Sequence, residues 1–400
     1  MNNKWIRAAL PAILIHISVG TVYCWSTFKQ AIAAQIGMSQ FAVGWAFSFA
    51  IFFLGMSAAF AGKFVERNIH KSSLIACICF SVGMIGTGLS IKFLTGWAAL
   101  LMIYLCYGAI MGIGLGVGYL TPVKTLMLWF SENKGLATGI SIMGFGLAKA
   151  IATPIMEFLQ NKYSIVSMFI ILGFCYFVTM FIGHLLLKKP SDWIEPQEKN
   201  KENILSMFKD KEFIGIWLMF YINIHCGLML ISYEKQILST VFAATAILSI
   251  IPSCTAIANA LGRIGYSTLS DKLKQRNSIY KIIFISCTLT SLFTLFTANT
   301  VILGIFIITH LVIINAGYGG GFSTLPALLS ERFGMTKISQ IHGLALSAWA
   351  IAGLTGNNTS ELILKLNGNY FTIIGLALIL YIVAFLISAF IVKEIHKVEI

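Results

Sequence analysis

Twelve times along the chain an apolar run of about 20 residues stands between short polar interruptions, and that length is what crosses a hydrocarbon core of ~30 Å. The runs lie near 6–28, 42–62, 72–92, 97–121, 136–157, 165–187, 213–234, 245–269, 279–298, 300–327, 339–362 and 370–392. Inside lipid the backbone must satisfy its own hydrogen bonds, so runs of this kind fold as helices. The expected fold is an all-α polytopic membrane protein with twelve transmembrane helices. Composition agrees: 58% of residues are hydrophobic and 11% charged, against about 25% charged in soluble domains. The first run is too long for a signal-peptide core and lacks a small-residue cleavage site, so it is read as a span.

The formal net charge of +13 would suit nucleic acid, but the placement of the basic residues argues against that partner. With the N-terminus in the cytoplasm, 21 Lys and Arg fall on cytoplasmic ends and loops, Lys124 among them, and only Lys29, Lys92, Lys162, Lys235 and Lys365 on outer loops. That asymmetry predicts both termini in the cytoplasm, with lipid as the surrounding partner; the expected setting, the inner (plasma) membrane of a bacterium with the chain a monomer, is not read from the charges. The two remaining basic residues, Lys149 and Arg263, lie inside spans. All eight cysteines also fall within spans and none forms a CxxC pair, so they are expected to pack as small hydrophobes, with no metal site and no disulfide.

The longest polar segment, "KKPSDWIEPQEKNKENILSMFKDKE" at 188–212, divides the chain into an N-terminal half, 1–187, and a C-terminal half, 213–400, of six spans each. The halves repeat. "GIGLGVGYLTP" (112–122) aligns with "NAGYGGGFSTLP" (315–326), and "GKFVERNIHK" (62–71) with "STLSDKLKQR" (267–276), at an offset of 204 to 205 residues that sets Glu66 beside Asp271. Two parallel six-helix repeats joined by a cytoplasmic linker form the plan of alternating-access transporters, with the substrate site at mid-membrane.

The stretches "GTVYCWSTF", "GVGYLTPVKTLMLWFSENKGLATGISIMGFGLA", "NALGRIGYSTLSDK" and "GGGFSTLPALLSERFG" resemble the major facilitator superfamily, and within it the oxalate/formate antiporter family of bacterial organic-anion carriers. The residues around Trp129, Phe130, Lys134 and Gly135 carry the resemblance most specifically; Ser131 replaces a usual proline and Ser267 a usual glycine. The resemblance implies the major facilitator fold and a small carboxylate as substrate.

A basic side chain at mid-membrane costs at least ~2.5 kcal/mol, so it needs a reason. Arg263 sits about 12 Å along its helix from Asp271. Thr255, Asn259, Arg263 and Tyr266 share one helical face, expected to line a cavity. The resemblance makes Arg263 the carboxylate-binding arginine, for which its planar fork of donors is suited; the alternative is a structural strut that snorkels or pairs with a helix end. Lys149 lies about 20 Å from Leu136 on its helix, in line with Ser141 and Phe145. The family's oxalate carrier has its second basic residue in the eleventh span, where Trp349 is the nearest match here. Lys149 either takes over that cationic role or snorkels outward. All 15 acidic residues fall in loops or at span ends, so a bound anion is the natural counter-charge in the cavity.

Tyr23, Tyr119, Phe145, Tyr318 and Phe322 resemble the family's aromatic box, with Trp349 joining it, and would enclose a substrate of a few carbons. His16 and His225, mid-span on the first and seventh helices, are possible proton sites or satisfied packing residues, and Glu234 is a further possible proton site at the outer end. In the paired loops Glu66 with Arg67, and Asp271 with Lys272, are candidate gating residues. Their acids can accept from neighbouring helix N-termini; the alternative is charge that only sets topology. No nucleophile–base pair, metal cluster or nucleotide loop is evident, so neither an enzyme nor a cofactor is expected. The expectation is a secondary transporter of oxalate-, formate-, pyruvate- or lactate-like anions working by exchange. The alternatives are proton-coupled monocarboxylate symport and a sensor on a transporter fold.

Overall fold

The computed structural model describes residues 3–193, 204–243, 245–298 and 302–392. The described residues form twelve long helices and no strand: α1 (Trp5–Ile36), α2 (Gln40–Arg67), α3 (Ile69–Phe93), α4 (Gly96–Trp129), α5 (Lys134–Lys162), α6 (Ile165–Leu186), α7 (Lys211–Ile231), α8 (Thr245–Lys272), α9 (Ser278–Phe296), α10 (Leu303–Phe333), α11 (Ile338–Asn367) and α12 (Tyr370–Phe390). A short helix, Glu234–Ser239, precedes α8. Among the described residues ten of these helices are long and apolar enough to cross a membrane. The other two, α8 and α11, run for 28 and 30 residues and owe their lower hydropathy to mid-helix residues such as Asn259, Arg263, Asn357 and Asn358. Residues 194–203 of the expected linker, with Lys199 and Lys201, lie outside the described residues, as do Lys393 and Lys397.

Helix starts follow local chemistry. Ser39, Ser164, Asp210 and Asn369 accept from backbone N–H groups in the first turns of α2, α6, α7 and α12, which satisfies donors a helix otherwise leaves open. The ends of α10 and α11 are followed by Gly334 and Gly368 at φ of +79° and +65°, a left-handed conformation that glycine enters without strain.

Two helices depart from regular α geometry near the residues of interest. In α1, Gly20–Cys24 winds as a 3₁₀ segment carrying Tyr23, and in α4, Tyr104–Met111 winds as a π segment just before the glycine-rich run. Such irregular turns recur at functional positions of membrane and soluble helices. The glycines that follow serve close approach. A side chain at Gly112 or Gly116 would strike α2, and one at Gly114 or Gly118 would meet α3.

The chain clusters into two compact units. The first comprises Met1–Glu132, Ile140–Lys199 and Phe333–Ala350, and the second Asn133–Gly139, Asn200–Arg332 and Ile351–Ile400. Relative to the halves expected from sequence, the opening residues of α5 and the first part of α11 group with the other unit. In the first unit α3 packs on α6, α2 on α4, and α1 on α6 and α4; in the second α9 packs on α12 and α7 on α12. The pairs α3–α6 and α9–α12, like α1–α6 and α7–α12, are equivalent under the repeat.

One expected boundary is corrected. The sequence ends the fourth span near 121 and sets Lys124 among the cytoplasmic ends and loops, yet α4 continues to Trp129 and holds Lys124 at 2% exposure. Pro122 lies inside this helix, and the buried Glu66 receives the ammonium of Lys124.

Candidate substrate-binding site

In the first unit four of the expected aromatic residues meet. Tyr119, Phe145 and Trp349 form a mutually edge-on triangle, with centroid separations of 5.6 Å for Tyr119–Phe145, 5.4 Å for Tyr119–Trp349 and 5.6 Å for Phe145–Trp349. Tyr23 stands edge-on to Phe145 at 5.4 Å. Edge-to-face packing at these distances is the favoured geometry of aromatic quadrupoles and fixes ring orientations. Tyr119, Phe145 and Trp349 are buried, while Tyr23 is half-buried.

His16 lies behind this cluster. Its Nδ1 is 2.7 Å from both the hydroxyl and the carbonyl of Ser141, and its Nε2 is 3.0 Å from the carbonyl of Tyr119. The ring ties α1 to α5 and α4. His342, which sequence reasoning did not single out, adds a second buried imidazole 6.1 Å from the Tyr119 ring. Lys149, one helical turn beyond Phe145, is exposed.

In the second unit Arg263 is only 1% exposed. Its Nε donates to Asn259 Oδ1 at 3.0 Å, one turn back on α8, and its guanidinium carbon lies 5.4 Å over the Phe322 ring. The side chain therefore stays within the protein instead of reaching toward lipid headgroups. Phe322 packs on Tyr318 at 5.1 Å and on Phe220 of α7 at 5.0 Å. The close approach of α8 to α10 depends on Gly262 and Gly319: a side chain at the first would strike Ala316, and one at the second Asn259 and the stem of Arg263. The expected polar face divides. Thr255, Asn259 and Arg263 follow one line, but the Tyr266 ring lies against Gly320 of α10.

At the N-terminal end of that line Thr255 donates to Glu234 Oε1 at 2.6 Å, and Glu234 is buried. His225 of α7 sits with Tyr221 and with Thr355 of α11, Nδ1 being 2.9 Å from the Thr355 hydroxyl oxygen.

The acids near the C-terminal ends of α2 and α8, Glu66 and Asp271, each engage a helix start. Glu66 Oε2 accepts from the Ser339 N–H of α11 at 2.9 Å. Asp271 accepts from the Gly135 and Leu136 N–H groups of α5 at 2.9 and 2.8 Å. A carboxylate at a helix N-terminus gains from the unsatisfied donors and the aligned peptide dipoles. Gly135 allows this approach, since a side chain there would meet the Ser267 carbonyl and Asp271 itself.

The adjacent bases behave otherwise: Arg67 and Lys272 are exposed. The cations that join the acids are Lys124, on Glu66, and Arg276, whose Nη2 is 2.8 Å from both Asp271 Oδ1 and Glu331 Oε1. Burial pulls the Arg276 guanidinium toward neutrality, but Glu331 and Asp271 outweigh it and hold its pKa above the ordinary arginine value. Sequence reasoning passed over Lys124, Arg276 and Glu331. The signal was present for Arg276, an arginine five residues beyond Asp271.

The profile of the Major Facilitator Superfamily matches residues 12–357. Among curated proteins, the chain is 26% identical over 372 residues to the uncharacterised MFS-type transporter YhjX of Escherichia coli strain K12, covering 88% of this chain and 86% of that one. It is 22% identical over 413 residues to the oxalate:formate antiporter of Oxalobacter formigenes, covering 99% and 93%. Among solved structures, a bacterial homologue of the iron transporter ferroportin in an outward-facing state superposes with a TM-score of 0.76 at 11% identity, covering 95% of this chain and 98% of that one. With a profile that runs through eleven of the twelve helices and a fold shared at this level, the chain belongs to the Major Facilitator Superfamily of membrane transporters.

Proposed function

We propose that this transporter carries small carboxylates, of the oxalate, formate, pyruvate or lactate kind, across a bacterial inner membrane by anion exchange, with both termini in the cytoplasm. The observation that carries the reading is Arg263, a buried guanidinium oriented by Asn259 and the Phe322 ring on a rigid helix. A fixed planar fork suits a carboxylate, and the relative named for oxalate and formate exchange spans nearly the whole chain. In this reading Arg263 binds the carboxylate and Asn259 orients it. Tyr23, Tyr119, Phe145, Trp349, Tyr318 and Phe322 limit the size of the carbon skeleton, and Lys149 supplies a second positive charge.

The test is counterflow of labelled acids in proteoliposomes. Arg263→Lys keeps the charge but loses the bidentate geometry, and Arg263→Gln loses both. Exchange is expected to fall in that order, by tenfold or more for Gln if the lost contact is worth about 1.5–3 kcal/mol. Normal exchange by Arg263→Gln sinks the proposal.

A further inference from the structure

In the first unit the Glu66 side chain is held as a small carboxylate ligand would be. Oε1 meets the Lys124 ammonium, and Oε2 accepts the Ser339 N–H at 2.9 Å in the first turn of α11. An ammonium beside a helix N-terminus is a donor set that captures carboxylates and phosphates. Both Glu66 and Lys124 are buried.

Two further polar atoms stand at the same place. Lys124, Ser339 and His342 line one small cavity together with Leu120 and Met127. Ser339 Oγ and His342 Nε2 are buried there and have no hydrogen-bond partner among the described residues. The cavity is too tight to admit water, so the burial of these two atoms is uncompensated in this state. Both can serve an anion. A hydroxyl rotates to suit its acceptor, and an imidazole nitrogen donates whenever it carries its hydrogen, a form that a neighbouring carboxylate favours. The same imidazole joins this place to the aromatic cluster: His342 is 6.1 Å from the Tyr119 ring, and Tyr119 is 5.4 Å from Trp349, farther along α11.

We propose that Lys124, Ser339 and His342 form a second carboxylate subsite, which Glu66 fills in this state and from which the substrate carboxylate displaces it. The contact between α2 and the start of α11 is then released by the substrate itself. A carboxylate that takes over the Lys124 ammonium and the Ser339 N–H also satisfies the Ser339 hydroxyl and His342 Nε2, which Glu66 leaves without a partner. The inference rests on the carboxylate reading of the transported substrate and adds to it a site in the first unit, whereas Arg263 belongs to the second.

The experiment titrates oxalate calorimetrically into purified full-length protein carrying Arg263→Gln, the change that removes the site proposed above. Adding Glu66→Gln takes away the charge of the internal competitor, and oxalate affinity is expected to rise about tenfold, the worth of one charge-assisted contact. Adding His342→Phe to that pair should remove most of the gain. No gain from Glu66→Gln overturns the inference, and so does a gain that survives His342→Phe, which would mark a general loosening of the helices. Glu66→Asp keeps the charge but is one methylene shorter, and it carries the same test where the Gln protein does not fold: its gain should be smaller and equally sensitive to His342→Phe. The two readings fail separately. If Arg263→Gln alone binds oxalate as the wild type does, the Arg263 reading falls, while the gain and its dependence on His342 are still measured against that variant. Lost affinity in Arg263→Gln with no gain from Glu66→Gln rejects only the subsite.

Discussion

A lysine in mid-span has two ways to avoid an unfavourable burial, to reach for headgroups or to meet water and an anion, and Lys149 is exposed one turn from the buried Phe145. Arg263, by contrast, is enclosed. If Lys149 meets a second carboxylate, Lys149→Gln should weaken dicarboxylates such as oxalate at least tenfold more than formate in the same counterflow assay. Equal losses would reduce it to a general field effect, and no loss would mean that it snorkels. At this scale the sequence was informative where a residue is costly in its setting: a mid-span arginine is conspicuous because insertion penalises it. It was uninformative where the role depends on partners far along the chain. Nothing local tells that Lys124 pairs with Glu66, 58 residues away, or that Thr355 orients His225 across 130 residues.

At the scale of elements, the hydropathy pattern placed all twelve helices but underestimated the lengths of eight, as α2 and α10 show by running several residues past their apolar cores to Arg67 and Phe333. Those extensions carry charge, which a hydropathy window reads as loop, and they persist because the charges are used. Glu66 and Glu331 pair within them, and Asp271 serves in the last turn of α8. The Asp271 carboxylate joins the first turn of α5 to Arg276. Asp271→Asn keeps the shape and removes the charge, leaving Arg276 with one acid in place of two. It should destabilise the protein by about 1–3 kcal/mol, read as a lower thermal midpoint in detergent. Lys272→Gln, an exposed change next door, should leave the midpoint where it is. Equal midpoints for Asp271→Asn and wild type would show that the contact contributes nothing to stability.

For the whole molecule the distribution of charge is the basis for predicting both orientation and coupling. The bias of basic residues toward one set of loops predicts that cysteine placed at Lys199 is shielded from an impermeant thiol reagent in intact cells and cysteine at Lys365 is labelled, once native thiols are removed; labelling at 199 alone would invert the topology. Coupling follows from where ionisable groups are missing. Proton symport needs a group that binds and releases a proton during the cycle, commonly an intramembrane Asp or Glu, and the residue one turn before Arg263 is Asn259, whose amide does not titrate and which accepts from Arg263 Nε. Arg263 is 1% exposed, and the desolvation penalty of a buried ion is several kcal/mol after relaxation. On the exchange proposal, a bound carboxylate would supply the opposite charge and lower that penalty as the carrier turns over. The loaded carrier should therefore reorient faster than the empty one, and since each ~1.4 kcal/mol is a factor of ten in rate, internal substrate should stimulate uptake into proteoliposomes at least tenfold. An inward proton gradient across vesicles lacking internal substrate should add little. Rapid uptake under that gradient alone would reject exchange and direct attention to the buried Glu234, held by Thr255 at the N-terminal end of the same line of α8 residues.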